Sequence, residues 1–272
     1  MTNDDSQIRP MREEDWREFK RIDEEIFPDD SVDQESFQKY VANRAFFALE
    51  IEGRLVGMLI VARFGEDAGH LGRIGVSTSM QNRGLGAKLM EFAMNWFRKE
   101  KISQAILYTQ DYNKHAQHLY KKFGFERVGT TWHYFVPFKS LSPRGECTCH
   151  HIREDEIELV GQKYPEHLPA AQIRRFLESE DYHVLVLKDS SGEITGACRF
   201  TPGFPGCFPF QIDDLECLDD FLASLIPHSL PDFDYVRLTF TDNEILSAIC
   251  DERRYKRHHR LYRMKAEVSK QE

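Results

Sequence analysis

The sequence predicts an α/β (α+β) fold made of two domains in tandem, and three observations support this. The first half alternates short apolar runs, which are typical of strands, with amphipathic stretches, which are typical of helices. A polar segment with Ser, Pro and Gly at residues 139–146 indicates a linker. The second half then repeats the order of the first, which indicates a duplicated architecture. We therefore expect one domain over residues 1–140 and another over residues 147–272.

The elements of the first half follow from local signals. Acidic residues at positions 13–15 favour a helix start, Pro28 ends that helix, and Glu52-Gly53 between two apolar runs predicts a hairpin. In chain order, we predict strands at 8–11, 45–51, 55–64, a segment ending at 76, 104–109 and 127–138. The predicted helices cover 12–27, 34–42, the end of a glycine loop to about 98, and 113–123.

The most informative segment is the loop that follows the strand ending at Val76. It is polar, contains Gly84 and Gly86, and leads directly into an amphipathic helix. Such a loop presents several backbone N–H groups to one point, and the positive end of the helix dipole adds to them. A glycine lets the backbone approach a ligand closely, because no Cβ intervenes. The pattern therefore predicts a site for a phosphate or a diphosphate. It differs from a dinucleotide fingerprint, which needs a third glycine, and from a nucleoside-triphosphate loop, which needs Gly-Lys-Ser/Thr.

Two motifs in this region resemble those of the GNAT N-acetyltransferase superfamily. The segment 81–86 matches the pattern Q/R-x-x-G-x-G/A of that family's acyl-CoA pyrophosphate loop, and Val76 stands five residues before it. Farther on, a strand over 107–112 precedes Asn113 and Ala116, and the segment Tyr120 to Phe125 resembles the family's Y-x-x-x-G-F ending. The resemblance covers roughly residues 8–138. It implies acetyl-CoA as cosubstrate and, for each domain, a mixed, mostly antiparallel twisted sheet flanked by helices.

The resemblance also implies roles for individual residues. The backbone of Ile74 and Val76 is expected to pair with the pantetheine arm and the thioester carbonyl, with the Val76 N–H polarising that carbonyl. Asn113 is expected to bond the pantetheine arm, although Asn is equally a favoured helix N-cap. Tyr120 is expected to protonate the leaving thiolate. The residues expected to hold the pyrophosphate are Gln81, Asn82, Arg83, Gly84, Leu85, Gly86 and Ala87.

The general base is harder to assign. Many family members carry a Glu three residues before the strand-ending Val, but this chain has Arg73 there. His70 is our catalytic candidate because its unperturbed pKa suits proton transfer near neutral pH. Carboxylates close to the same strands, Glu66, Asp67 and Asp111, are alternatives that would act directly or through water. Arg73 itself would suit recognition of a carboxylate or a phosphate on the acceptor.

The second half is predicted to be a degenerate copy. Asn243 matches Asn113 at an offset of 130 residues (243 − 113 = 130), and we expect a hairpin over 184–200 and a helix over 214–226. The segment 205–212 lacks a G-x-G loop. At the same offset Cys250 replaces Tyr120, and Arg254 replaces Gly124. We therefore expect little or no acetyl-CoA binding by this half.

Composition narrows the class of protein. The 272 residues, 41% of them hydrophobic, are enough to fill two cores. The net charge of −9 argues against a nucleic-acid partner, and the lack of a run of about 18 apolar residues argues against a membrane span. The N-terminus lacks the features of a secretion signal, so a cytoplasmic protein is expected. The six cysteines are irregularly spaced and are expected to be free thiols. Cys147-x-Cys149-His150-His151 is too tightly spaced for a zinc knuckle, and no metal site is predicted.

The sequence thus predicts an acyltransferase that moves an acetyl group to a primary amine, on either a small molecule or a peptide. The alternative is a non-catalytic acyl-CoA-binding sensor or interaction module, which the replacement of the family's Glu by Arg73 favours. The identity of the acceptor stays open at this point, and so does the choice between a monomer and a homodimer.

Overall fold

The structure is a computed structural model that describes residues 6–42, 45–64 and 67–268, without the side chain of Phe64. The chain forms two compact units: unit 1 comprises residues 1–128 and 263–272, and unit 2 comprises residues 129–262. These units are bounded differently from the predicted domains, because residues 129–140 fold with unit 2 and residues 263–268 fold with unit 1. The predicted domains, residues 1–140 and 147–272, rest on the sequence repeat and stay a prediction.

The first part of the chain contains six strands and four α-helices in the described residues. The strands are β1 (Ser6–Pro10), β2 (Phe46–Ile51), β3 (Arg54–Phe64), β4 (Ala68–Val76), β5 (Gln104–Gln110) and β6 (Glu126–Pro137). The α-helices are α1 (Trp16–Ile26), α2 (Gln34–Ala42), α3 (Leu85–Lys99) and α4 (Lys114–Lys122). Short 3₁₀ turns cover Glu13–Asp15 and Thr78–Met80. The predicted order of elements is confirmed, and the first predicted helix begins with a separate 3₁₀ turn.

The sheet of unit 1 has the order β1-β2-β3-β4-β5. Its pairs are antiparallel except β4 with β5, which run parallel. A cluster of aromatic rings holds α1 and α2 against β2: Phe19 lies 4.9 Å from Phe37 and 5.3 Å from Phe46 between ring centroids, and all three are buried. Each buried ring of this size stabilises the fold by roughly 1.5–3 kcal/mol relative to exposure.

Unit 2 is built from a similar set of elements. Its strands are β7 (Thr148–His151), β8 (His183–Lys188), β9 (Ile194–Thr201), β10 (Gly206–Ile212), β11 (Tyr235–Thr241) and part of β12 (Lys256–Glu267). Its helices are α5 (Glu154–Lys163), α6 (Ala170–Leu177), α7 (Leu218–Ala223) and α8 (Glu244–Glu252). The strand pairs β7–β8, β8–β9, β9–β10 and β11–β6 are antiparallel, and β10–β11 is parallel. The predicted α/β class, with helices flanking a mixed, mostly antiparallel sheet in each unit, is confirmed.

The two units repeat local backbone geometry as well as element order. Asn113 caps α4 by accepting the Ala116 N–H at 3.1 Å, and Asn243 caps α8 by accepting the Leu246 N–H at 2.9 Å. A left-handed residue follows each helix, Gly124 with φ +80° after α4 and Arg254 with φ +58° after α8. The predicted internal duplication therefore extends to the capping of corresponding helices.

Two predictions for the second half need correction. The helix expected over 214–226 is divided into a 3₁₀ turn at Leu215–Cys217, the short α7 and another 3₁₀ turn at Ile226–His228, where Pro227 interrupts regular helix bonding. Cys147 and Cys217 were expected to be free thiols but form a disulfide, with their Cα atoms 5.9 Å apart. The fold brings together residues 70 positions apart, which irregular spacing in the sequence did not reveal.

The end of the predicted linker is held mainly by one carboxylate, that of Asp220. Asp220 accepts backbone N–H groups from Arg144, Gly145, Glu146 and Cys147 at 2.6–3.0 Å. Burial acts to raise the pKa of Asp220, but these hydrogen bonds lower it below its ordinary value.

No helix among residues 6–42, 45–64 and 67–268 is long and apolar enough to cross a membrane.

Candidate active site

The candidate site of unit 1 begins where β4 and β5 separate. The parallel register joins 68–71 to 104–107, although β4 continues to Val76 and β5 continues to Gln110. The register of β4 with β3 also shifts between Leu71 and Ile74, where the strand is irregular. Such an irregularity bends a strand and redirects its backbone. In the described residues, the last part of β4 therefore has one edge that β5 does not cover.

The alternation of hydrogen bonds shows which groups face that edge. Ser77 donates its N–H to the Val56 carbonyl at 2.8 Å, so this pair of positions is hydrogen-bonded across β3 and β4. Residues at adjacent positions of an antiparallel pair alternate between hydrogen-bonded and non-hydrogen-bonded. The backbone groups of Val76 and Ile74 therefore point away from β3. The side-chain amide of Gln81 donates to the Val76 carbonyl at 3.0 Å, which leaves the N–H as the polar group Val76 presents to a ligand.

The glycine loop continues from this edge into α3. Asn82 and Gly84 both adopt left-handed backbone conformations, with φ +61° and φ +81°. Gly84 is the N-cap of α3, and no side chain caps the helix. The first N–H groups of an α-helix have no partner within the helix, so those of Leu85, Gly86 and Ala87 are available at its positive end. The residues from Gln81 to Gly84 are exposed, and a Cβ built on Gly84 would meet nothing within 4 Å.

Gly86 has a different role from Gly84. A Cβ at Gly86 would lie 3.2 Å from Cδ2 of Leu119, so the missing side chain lets α3 approach α4 closely. This contact places the start of α3 beside the helix that carries Tyr120. Gly84 thus supplies a left-handed turn and Gly86 supplies close helix packing, and the role of both glycines in ligand approach stays a prediction.

The start of α4 is fixed to the end of β5. Asn113 caps the helix as described above, so its side-chain oxygen is engaged and its NH₂ group stays available to donate. The Gln117 side chain donates to the carbonyls of Gln110 and Asp111 at 2.9 and 3.0 Å. These hydrogen bonds fix the start of α4 to the end of β5, next to the uncovered edge of β4.

Tyr120 lies on the buried side of α4. Its ring is 7% exposed and packs near Phe125, with ring centroids 6.2 Å apart. Burial raises the pKa of Tyr120 to about 12, because the interior disfavours the phenolate. The group is therefore a neutral phenol over the whole physiological pH range, which is the form that can donate a proton.

His70 lies apart from Val76 along β4. His70 lies in the part of β4 that is still paired with β5, opposite Ile106. Six residues of a strand separate it from Val76, which at about 3.3 Å per residue is roughly 20 Å. Burial lowers the pKa of His70 to about 4, and its ring packs against Tyr108. Of the alternative bases, Glu66 lies outside the described residues.

Arg73 is engaged inside the protein. Its guanidinium forms an ion pair with Asp23, which is completely buried, contacts Asp30, and lies 4.2 Å from the centroid of the Phe27 ring. Asp23 also accepts the Val32 N–H at 2.7 Å. These contacts join the end of α1 to β4, so the position that carries a Glu in many family members has a structural cation here.

One acidic residue near the end of β4 was not found from the sequence. Glu25 on α1 accepts the Thr78 N–H at 2.6 Å, two residues beyond Val76. Hydrogen bonding from Thr78 lowers the pKa of Glu25 below its ordinary value, so it is a carboxylate at neutral pH. The two residues are 53 positions apart, and α1 contains several other acidic residues, so no sequence signal distinguished this one.

The corresponding region of unit 2 has different chemistry. There Asp214 caps the turn after β10 by accepting the Glu216 N–H at 3.0 Å, and Asp219 and Asp220 occupy the first turn of α7. Carboxylates thus lie where unit 1 presents N–H groups, and they would repel a diphosphate. The absence of acetyl-CoA binding by the second half stays a prediction, and this charge pattern favours it.

The separated parallel strands and the uncapped glycine loop of unit 1 are the features that the sequence predicted for an acyltransferase. The family described as Acetyltransferase (GNAT) family matches residues 8–125. This match lies in the first half of the chain and covers less than half of its 272 residues, and it confirms the resemblance inferred from the loop and from the segment around Tyr120.

A curated relative and two solved structures extend this result. The N-acetylaspartate synthetase of Danio rerio is 29% identical over 119 residues, which make up 42% of this chain and 41% of that relative. The chain therefore matches less than half the length of that relative. A GCN5-related N-acetyltransferase from Sphaerobacter thermophilus has a TM-score of 0.75 at 14% identity and covers 98% of this chain and 97% of its own. A tandem GNAT protein from the clavulanic acid biosynthesis pathway has a TM-score of 0.61 at 12% identity, covering 98% of this chain and 100% of its own. At these identities the structures show the fold alone, and it is the predicted tandem fold.

Proposed function

We propose that the chain is an acetyl-CoA-dependent N-acetyltransferase that acetylates a primary amine, with the amine attacking the thioester directly. The observation that carries this proposal is the uncovered edge of β4 beside an uncapped, glycine-turned start of α3. One end of this surface offers backbone N–H groups for a diphosphate, and the other offers the Val76 N–H for a carbonyl oxygen. Acetyl-CoA supplies, when bound, an acetyl group activated as a thioester.

The loop residues fit the cosubstrate in charge and shape. The N–H groups of Leu85, Gly86 and Ala87 would hold the pyrophosphate, with Arg83 adding a positive charge from an exposed position. The NH₂ group of Asn113 would donate to the pantetheine arm. Because Gly84 has open space around its Cβ position, a bulky ligand can reach the backbone there.

The reaction needs two proton transfers besides polarisation of the carbonyl. The amine nitrogen forms a bond to the acetyl carbon and loses one proton, while the bond from that carbon to sulfur breaks and the thiolate gains one proton. We assign the donor role to Tyr120, which burial keeps protonated, with later reprotonation from solvent. We assign receipt of the amine proton to Glu25, directly or through water, because its carboxylate is fixed beside the end of β4.

His70 is the other candidate for the base, as the sequence predicted. Its distance from Val76 along β4 favours Glu25 over it for a direct role. The two assignments differ in their consequences: substitution of Glu25 by Gln would lower kcat, whereas substitution of His70 by Gln would leave kcat within a few fold.

The acceptor is proposed to be a primary amine of a small molecule or a peptide. The name of the Danio rerio relative denotes synthesis of N-acetylaspartate, so amino acids belong in the first panel of acceptors to be tested. Peptides with free N-termini and simple polyamines complete that panel, because the fold does not determine the substrate.

The test measures release of free CoA thiol from acetyl-CoA against this panel. Wild-type protein is compared with Tyr120→Phe and Glu25→Gln, and the matched controls are Tyr112→Phe, at an exposed tyrosine, and Glu24→Gln, at the adjacent exposed carboxylate. We expect kcat to fall about 10²–10⁴-fold in the first two variants, as is typical for loss of an acid or a base. Equal activity of Tyr120→Phe and wild type would contradict its assigned role.

A second candidate function is a non-catalytic acyl-CoA sensor. The specific observation in its favour is Arg73, whose pairing with buried Asp23 replaces the carboxylate that many family members have at that position. Calorimetry separates the two functions. Tight acetyl-CoA binding without thiol release on any amine in the panel would support the sensor and exclude the enzyme for those acceptors.

A further inference from the structure

Unit 2 contains a cluster of three histidines, His151, His183 and His228, that the proposed acetyl transfer does not use. His151 ends β7, His183 begins β8, and His228 ends the 3₁₀ turn that follows α7. They are 32 and 45 residues apart along the chain (183 − 151 = 32; 228 − 183 = 45). Their nitrogen atoms lie together, so three separate elements contribute to one small group of imidazoles.

The fold itself positions these side chains. In the β7–β8 pair His151 is opposite Leu185, and His183 is two residues before Leu185 on the same strand. Side chains two residues apart on a strand share a face, so His151 and His183 are diagonal cross-strand neighbours. The third histidine comes from the turn after α7, whose Leu222 packs in the same core cluster as Leu185. The strand that carries His183 and the helix that precedes His228 are therefore anchored in the same core.

The distances suit a shared ion. The candidate ligand atoms all lie within 4.8 Å of one another, and Nε2 of His151 is 3.1 Å from Nδ1 of His183. Two imidazole nitrogens bound tetrahedrally at about 2.0–2.1 Å from one Zn²⁺ are about 3.3 Å apart. The first pair already has this separation. Small side-chain rotations of His228 would bring its nitrogen to the same distance.

The chemistry of the donors restricts the kind of ion. All three ligands are imidazole nitrogens, which suit first-row transition ions such as Zn²⁺, Ni²⁺ and Cu²⁺ and do not suit Mg²⁺ or Ca²⁺. His151 is exposed, so water can reach the remaining coordination position.

We propose that His151, His183 and His228 form a site for one divalent transition-metal ion, best suited to Zn²⁺, with water as the fourth ligand. The motif Cys147-x-Cys149-His150-His151 contributes only its last residue. Cys147 is bonded to Cys217, and His150 contacts Glu156 at 3.0 Å, so these residues have other partners. The proposed site differs from the motif Cys147-x-Cys149-His150-His151 and from the expectation that the chain has no metal site, and the test below decides between them.

The test uses full-length protein that has been treated with a chelator and dialysed. Zn²⁺ is titrated by calorimetry into the wild type, into His183→Gln and into His228→Gln. His118→Gln is the matched control, because His118 is an exposed histidine of α4 outside this cluster. We expect one Zn²⁺ per chain in the wild type and in the control. Each cluster variant should bind more than about 100-fold more weakly, since even loss of a group that only supports a ligand costs 10–100-fold.

A second measurement distinguishes loss of metal binding from misfolding of a variant. Wild-type protein loaded with Co²⁺ should show the strong visible absorption of a four-coordinate site, and Zn²⁺ should abolish it by displacement. Zn²⁺ should also raise the melting temperature of the wild type and not of the variants. The proposal is overturned if the wild type binds Zn²⁺ no more tightly than His183→Gln. It is equally overturned if His118→Gln loses as much affinity, or if Co²⁺ gives only the weak spectrum of a six-coordinate aquo ion.

Discussion

Replacement of Gly84 by Ala separates the effect of loop shape from the effect of bulk. Gly84 has φ +81°, and a Cβ there would meet nothing within 4 Å, so the substitution introduces backbone strain without a clash. A left-handed conformation costs an L-residue about 1–2 kcal/mol. If this strain is relieved only when the loop leaves its binding shape, the population of that shape falls about 5–30-fold. We expect CoA affinity, measured by calorimetry, to fall by the same factor.

The chain offers a matched control for this experiment. Gly53 in the β2–β3 hairpin has φ +73° and also has nothing within 4 Å of a built Cβ. Gly53→Ala should therefore lower the free energy of unfolding by a similar amount and leave CoA affinity unchanged. Gly84→Asn should retain most of the affinity, because Asn tolerates the left-handed region. The assignment of the left-handed Gly84 turn to CoA binding is refuted if Gly84→Ala binds CoA as tightly as Gly53→Ala does.

Three further predictions concern buried charges and titration. Asp23→Ala leaves Arg73 buried without its main partner, and urea unfolding should show a loss of about 3 kcal/mol or more; a loss under about 1 kcal/mol would contradict the pairing. Asp220→Asn weakens four hydrogen bonds to residues 144–147 and should cost about 1.5–3 kcal/mol. The pKa of Asp220 is lowered on folding, so its carboxylate adds to the free energy of unfolding above the ordinary pKa of 3.8. This stabilisation is lost as the pH falls through the lowered pKa. The stabilities of the variant and the wild type should therefore converge in strong acid. Burial raises the pKa of Tyr120 to about 12, so ionisation of this group should not lower kcat/KM below about pH 11. A decrease in kcat/KM near pH 10 that is absent from Tyr120→Phe would contradict the burial.

Much of unit 1 was predictable because its signals are local. The helix start at positions 13–15, the hairpin at Glu52-Gly53 and the loop around Gly84 each depend on residues close together in the chain. The caps are equally local, and Asn113 combines a residue preference with a spacing of three to Ala116. These features are set within about one turn of backbone, so residue type and short spacing predict them.

The other features of the site depend on contacts between residues far apart in the sequence, which sequence spacing does not predict. Glu25 reaches Thr78 across 53 residues, and the three histidines of unit 2 come from three separate elements. His70 was chosen for its ordinary pKa, but its position in the paired part of β4 lowers that pKa to about 4. A candidate base is determined by burial and by its distance along the strand, and neither can be read from residue type.

The left-handed residue after α8 has an implication for how the two halves diverged. Arg254 adopts φ +58° where its counterpart in the first half is a glycine, although an arginine gains nothing from that region of backbone space. Its amide still bonds Asp251, and Tyr255 still bonds the Cys250 carbonyl, as at the end of α4. The surrounding packing therefore imposes the path of the chain at this corner. The left-handed backbone conformation after the helix is thus kept although the glycine that favours it is absent. A helix end can therefore be conserved in structure without its usual sequence signal.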